Sequence, residues 1–165
     1  MRPWRRSLLI VAALAGLVGA GSVAALALGW FGLPGTAPEV AIDPDDPAQV
    51  ALGQQVYATH CAACHGANLE GQPNWRERKP DGRLPAPPHD ASGHTWHHSD
   101  AQLVELTKKG VSGIVPGYES DMPAFEDVLT NREIAAVIAF IKNTWPPEIR
   151  RRQEARGEVR GTAEP

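Results

Sequence analysis

The chain has 165 residues, 42% of them hydrophobic, and a formal net charge of −3. That length accommodates one small domain with appendages. A mildly acidic balance weighs against a nucleic-acid surface, which needs clustered excess positive charge, and fits a partner that presents a basic patch.

The N-terminal segment is set apart by composition. MRPWRR carries three arginines, and Leu8 to Leu33 is a run of 26 apolar and small residues without a charge. A membrane-spanning helix needs ~20 such residues, whereas the apolar region of a cleaved secretory signal is roughly 7–15. Length therefore predicts an uncleaved signal anchor over 1–34. Its arginines stay in the cytoplasm and the remainder of the chain is exported. A cleaved signal, with Ala25-Leu26-Ala27 as the cleavage site, is the alternative. On either reading the cysteines meet oxidising conditions.

Residues 35–46 form a Pro/Asp/Gly linker. A first helix is predicted from Pro47 toward Cys61, with Asp46 as its cap, Pro47 at its first position and Val50, Gly53 and Tyr57 at helical spacing. Gly71 to Asp90 is rich in proline and reads as loop. Ser99 and Gln102 form a capping box for a second helix, with Leu103 and Leu106 on its apolar side and Gly110 at its end. Gly110 to Phe125 reads as irregular. Thr130 and Glu133 cap a third helix whose apolar face is Ile134, Val137, Ile138 and Ile141, stopped by Trp145-Pro146-Pro147. The charged tail, 148–165, is predicted to be disordered. The fold class is all-α with long loops, and the domain spans 47–147. Three short helices enclose a thin core, marginal without a large apolar cofactor to fill it.

The decisive stretch is HCAACHG, His60 to Gly66, which holds both cysteines. A disulfide across two intervening residues closes too small a loop to constrain the unfolded chain much. A redox dithiol of the thioredoxin type needs a βαβ setting, and none is predicted. Zinc needs two further ligands, and no second cysteine pair exists, although the later histidines keep that reading open. C-x-x-C-H spacing instead lets Cys61 and Cys64 reach the two vinyl groups of one haem while His65 lies under the iron. One covalent haem c is therefore the expected cofactor.

Apart from the initiator, the only methionine is Met122, in SDMPAF. A lone methionine is ordinarily core filler. Here it stands in a Gly/Pro-rich loop able to fold over a haem face, and it is the expected sixth ligand. His94, His97 or His98 is the alternative.

The stretch from Pro47 to Trp145 resembles the class I c-type cytochromes. The resemblance rests on CAACH, on DMPAF and on the helices around them. It implies a cytochrome c fold with the first helix crossing the last, Gly53 and Tyr57 meeting Val137 and Phe140. It also implies a proline carbonyl accepting the N–H of His65, for which LPAPP offers Pro87. Trp96 resembles the family's aromatic near a haem propionate, with a core tryptophan as the equal alternative. The loop from Gly71 to Arg83 departs from the family in being longer and more polar. The implied activity is one-electron transport rather than catalysis, by a single-pass protein of the bacterial cytoplasmic membrane with its haem domain in the periplasm. The expected donor is a quinol-oxidising complex or dehydrogenase, and the acceptor an oxidase or reductase. A haem subunit of a larger enzyme, and a haem ligand binder or sensor, are the competing classes.

The family does not account for APPHDASGHTWHHSD, which contains His89, His94, His97 and His98. A copper or zinc site, a pH-dependent docking surface, and an ordinary polar helix start are the three readings. Adjacent histidines such as His97 and His98 do not readily face one way on a helix, which weakens the metal reading.

Overall fold

A computed structural model describes residues 41–161. The predicted anchor and the first half of the linker lie outside them. Among the described residues, no helix is long and apolar enough to cross a membrane. The elements are α1 (Pro47–His60), α2 (Ala62–His65), a 3-10 turn (Thr95–His97), α3 (Asp100–Ile114), α4 (Asn131–Asn143) and α5 (Pro147–Gly161), with no strand among the described residues.

The helix starts follow local chemistry. The Asp46 carboxylate accepts the N–H of Ala48 at 2.9 Å, and Pro47 begins α1. Both predicted capping boxes form: Ser99 with Gln102 at α3, and Thr130 with Glu133 at α4. Each satisfies two backbone donors that a helix start leaves without partners.

The core is the packing of α4 against α1. Ile134, Val137, Ile138 and Ile141 are buried on α4, Val56 and Tyr57 on α1, and Leu69, Leu103, Leu129 and Trp145 complete the cluster. Each fully buried aliphatic side chain of this kind contributes roughly 1.5–3 kcal/mol. At the crossing, a methyl group on Gly53 would overlap the Ala136 carbonyl and stand 2.8 Å from Phe140 Cβ. Only glycine allows that approach. Tyr57 then packs on Phe140 at a ring separation of 5.5 Å. The expected pairing thus forms between Tyr57 and Phe140, while Gly53 sits on the backbone of Ala136 rather than on Val137.

Two boundaries differ from expectation. Gly110 breaks α3 with φ 65 and ψ 166, but helical turns resume and run to Ile114. The described part of the tail predicted to be disordered is helical as α5, to Gly161, and Gln153 anchors it. Gln153 is 1% exposed and donates to the His98 carbonyl at 3.2 Å and the Asp100 carboxylate at 2.6 Å. Arg150 adds an ion pair with Asp45 at 2.6 Å.

Candidate functional site

The C-x-x-C-H segment is a single turn. α1 ends as the Cys61 N–H reaches the Tyr57 carbonyl at 2.9 Å, and α2 begins at once, with the N–H of His65 on the Cys61 carbonyl at 2.9 Å. Gly66 closes the turn at φ 83. Both cysteines are free thiols, Cys64 exposed and Cys61 partly buried. Burial pushes the Cys61 thiol up to about 11.

His65 is 9% exposed, and its Nδ1 lies 2.8 Å from the Pro87 carbonyl oxygen. A carbonyl can only accept, so Nδ1 carries the proton and Nε2 is left as an aprotic lone pair. Burial lowers the imidazole's affinity for a second proton. The backbone holds Pro87 in place. The N–H of Gln72 donates to the Ala86 carbonyl at 2.9 Å, and the N–H of His89 donates to the Leu69 carbonyl at 2.8 Å. Gly71, at φ 70, lies so close to the Pro87–Pro88 peptide that a Cβ would come within 2.7 Å of the Pro87 carbonyl carbon.

Tyr57 closes the inner side. It is 2% exposed, and its hydroxyl donates to the carbonyls of Gly66 at 3.0 Å and His65 at 3.3 Å. Burial raises the phenol far above its usual range, so it remains a donor at any ordinary pH.

Sequence reasoning placed His89 with the surface histidines. The structure puts its ring 4.0 Å from that of His65, with Nδ1 3.1 Å from the Thr95 hydroxyl and its carbonyl accepting the Trp145 indole N–H at 2.8 Å. Burial, and then the neighbouring His65, hold His89 well below its ordinary proton affinity. Trp145, read from sequence only as a helix stop, is thus a core residue that fixes this loop. Nothing local in the sequence signalled the place of His89.

Of the three readings of the histidine segment, the copper or zinc site finds no support in the arrangement of the described residues. Among the described residues, no group of three or more His, Cys, Asp or Glu side chains is arranged to hold a metal ion. His89 turns inward. His94 stacks on Trp75 at 5.4 Å, and His97 packs on Trp96 at 3.8 Å.

Trp96 itself carries the test of fit. Its indole Nε1 is buried and has no hydrogen-bond partner among the described residues. A buried donor without a partner is costly, by ~1–3 kcal/mol, and marks the place of an absent acceptor. A haem propionate would be an acceptor of the right chemistry for it. Met122 lies half-buried in the loop between α3 and α4, its N–H on the Ser120 hydroxyl at 3.1 Å. Its carbonyl rests against Gly110, where a Cβ would approach to 2.9 Å. The same loop is pinned to α3 through the N–H of Phe125 on the Lys108 carbonyl at 2.9 Å, and it reaches the start of the C-x-x-C-H turn through Phe125 against His60 at 6.2 Å.

Two free thiols in one turn, a buried imidazole of fixed tautomer and an indole donor without a partner among the described residues have the chemistry to hold a haem c. The chain belongs to the cytochrome c family, whose model matches residues 50–145. It carries covalent haem c, the cofactor of that family. It is 26% identical over 144 residues to a nitrite reductase of Stutzerimonas stutzeri, covering 82% of this chain and 22% of that protein. It is 31% identical over 98 residues to the Cbb3-type cytochrome c oxidase subunit CcoP of an Azospirillum species, covering 59% of this chain and 29% of that one. A 38-residue stretch is 47% identical to a cytochrome bc1 complex cytochrome c subunit of Mycobacterium leprae, covering 22% and 13% of the two chains. The chain thus spans less than a third of each of these relatives. No solved structure matches it.

Proposed function

We propose that the chain is a one-electron carrier with His65 and Met122 as axial ligands, held at the bacterial cytoplasmic membrane by residues 1–34, its haem domain on the periplasmic side. The observation that carries this reading is the His65 Nδ1–Pro87 contact at 2.8 Å. It leaves the Nε2 of a buried ring unprotonated, in the same turn as two thiols available for covalent attachment. Bound haem c supplies an iron that gains or loses a single electron.

The chain's own residues define how that happens. The Pro87 carbonyl pulls on the Nδ1 proton and makes Nε2 a stronger donor to iron. Cys61 and Cys64 hold the group permanently in an exported protein. Trp96 Nε1 donates to a propionate, and Tyr57 ties the turn to α1. Met122 supplies a thioether, which favours the ferrous state more than a second imidazole would. His65 and Met122 together would leave the bound group no open place for a substrate, so the protein would pass electrons without catalysing a reaction of its own. The donor is a quinol-oxidising complex or dehydrogenase, and the acceptor an oxidase or reductase. Tethering raises the effective concentration near membrane partners.

A second reading is favoured by one observation. The relatives of which this chain matches only a part include a nitrite reductase and an oxidase subunit. The chain would then be a fixed electron-entry subunit of a larger assembly, and would purify in stoichiometric complex with it.

Met122→Ala tests the ligand set. The ferric wild type is expected to show the weak far-red band of sulfur–iron ligation, and its ferrous form to ignore carbon monoxide. The variant should lose the band and bind carbon monoxide. A variant that keeps the band removes Met122 from the site.

A further inference from the structure

The polar insertion that departs from the family, residues 71–83, has a defined partner. Asp121, immediately before Met122, receives two cations from it, one on each carboxylate oxygen: Lys79 Nζ on Oδ2 at 2.5 Å and Arg83 Nη1 on Oδ1 at 2.6 Å. Glu119 stands 3.6 Å from Arg83 Nε. Arg78 lies over the Tyr118 ring at 5.6 Å. Three side chains of one loop therefore meet the segment 118–121, across about forty residues of sequence. Arg83 is itself only four residues before Pro87.

We propose that Lys79 and Arg83 are positioning residues for Met122: they clasp the loop that presents the thioether to the loop whose Pro87 carbonyl orients His65, so that the two axial-ligand segments are tied together outside the haem pocket. The inference rests on Met122 being a ligand.

An isolated surface ion pair would carry little, because ordering two long side chains offsets most of the attraction. Here the backbone that carries both cations is already ordered. The N–H of Lys79 donates to the Arg83 carbonyl at 2.8 Å, and the N–H of Gly82 returns to the Lys79 carbonyl at 2.9 Å. The Arg83 N–H rests on the Asp81 carboxylate at 3.0 Å, and Arg78 Nη1 donates to the Gly82 carbonyl at 2.6 Å. A turn built this way meets Asp121 with little further loss of freedom. On the other side, the Ser120 hydroxyl holds the Met122 N–H, and the N–H of Ser120 is held by the Ser112 hydroxyl at 3.1 Å. Restraint on Asp121 is thus passed to Met122 through one peptide unit. Because the clasp is solvent-exposed, salt weakens it, whereas the buried contacts of His65 are not screened.

The full-length, haem-loaded ferric protein is titrated with imidazole, at a pH where imidazole is uncharged, and loss of the far-red band is followed. The titration is run at about 10 mM and about 500 mM sodium chloride, which moves the screening length from roughly 30 Å to below 8 Å. The wild type should bind imidazole roughly 3- to 10-fold more tightly at high salt, as expected for the loss of two or three exposed pairs. Lys79→Ala/Arg83→Ala should show that tighter binding already at low salt, with no further response to salt. The salt series on the unaltered protein needs no variant to fold. If wild type and double variant share one salt-independent affinity while Met122→Ala abolishes the band, the clasp is overturned and the ligand set stands. If Met122→Ala retains the band, both readings fall.

Discussion

Tyr57 links two jobs in one side chain: it is a core aromatic packed on Phe140, and its hydroxyl donates to the carbonyls of Gly66 and His65. Tyr57→Phe keeps the packing and removes the donor. The loss should be ~1 kcal/mol, the usual net worth of a neutral hydrogen bond, read as a lower denaturant midpoint with an unchanged slope. An unchanged midpoint would mean the two carbonyls find other donors. At this scale the C-x-x-C-H turn was legible, because Cys61, Cys64 and His65 are close in sequence and fold into one turn. Pro87 was legible only through resemblance, since its role depends on Gly71 and Gln72 bringing two loop segments side by side. His89 was misplaced because burial beside His65 and Trp145 is set by tertiary packing, and a histidine in a polar run gives no sign of it.

Helices whose ends carry their own instructions were read correctly. Asp46, Ser99 and Thr130 each cap as expected, and the apolar face of α4 is the one that is buried. The crossing of α1 and α4 concentrates its requirement in Gly53. In Gly53→Ala the gain in helix propensity is about 1 kcal/mol, but the new methyl overlaps the Ala136 carbonyl and the helices must part. A net loss of ~1–3 kcal/mol is expected, as for other overpacked sites, and thermal unfolding of the haem-loaded protein measures it. A variant as stable as wild type would show that the helices separate without cost. α5 escaped sequence reasoning for a physical reason. Its composition is charged, and it has no apolar stripe. What holds it is a polar cluster: Gln153, Asp100 and Lys142, whose side chain is 3% exposed and pairs with Asp100 at 2.9 Å. Hydrophobic periodicity carries no information about such a contact.

Across the molecule, several carboxylates are held in their charged form by folding. The backbone N–H and then the hydroxyl of Thr130 lower the proton affinity of Glu133 below its ordinary value of 4.5. A hydrogen bond from Arg150 does the same for Asp45, below 3.8. A group depressed in the folded state stabilises fully above its unfolded value and loses that contribution as the pH falls through the folded one. The melting temperature should therefore decline as the pH drops below 4.5, and the decline should be shallower in Glu133→Ala/Asp45→Asn. Parallel curves for the two proteins would assign the acid sensitivity elsewhere.

The contact between Gly53 and Ala136 also has a consequence in time. The two helices it joins lie ~80 residues apart, and closing a loop of that length carries an entropic cost of about 4 kcal/mol before any contact rewards it. α4 is also among the last parts of the domain to leave the ribosome, and α1 has no hydrophobic partner until it arrives. Cys61 and Cys64 sit at the end of that unpartnered helix. They spend the chain's synthesis in an open segment, and the turn that carries them is walled in only when the C-terminal half comes to meet it.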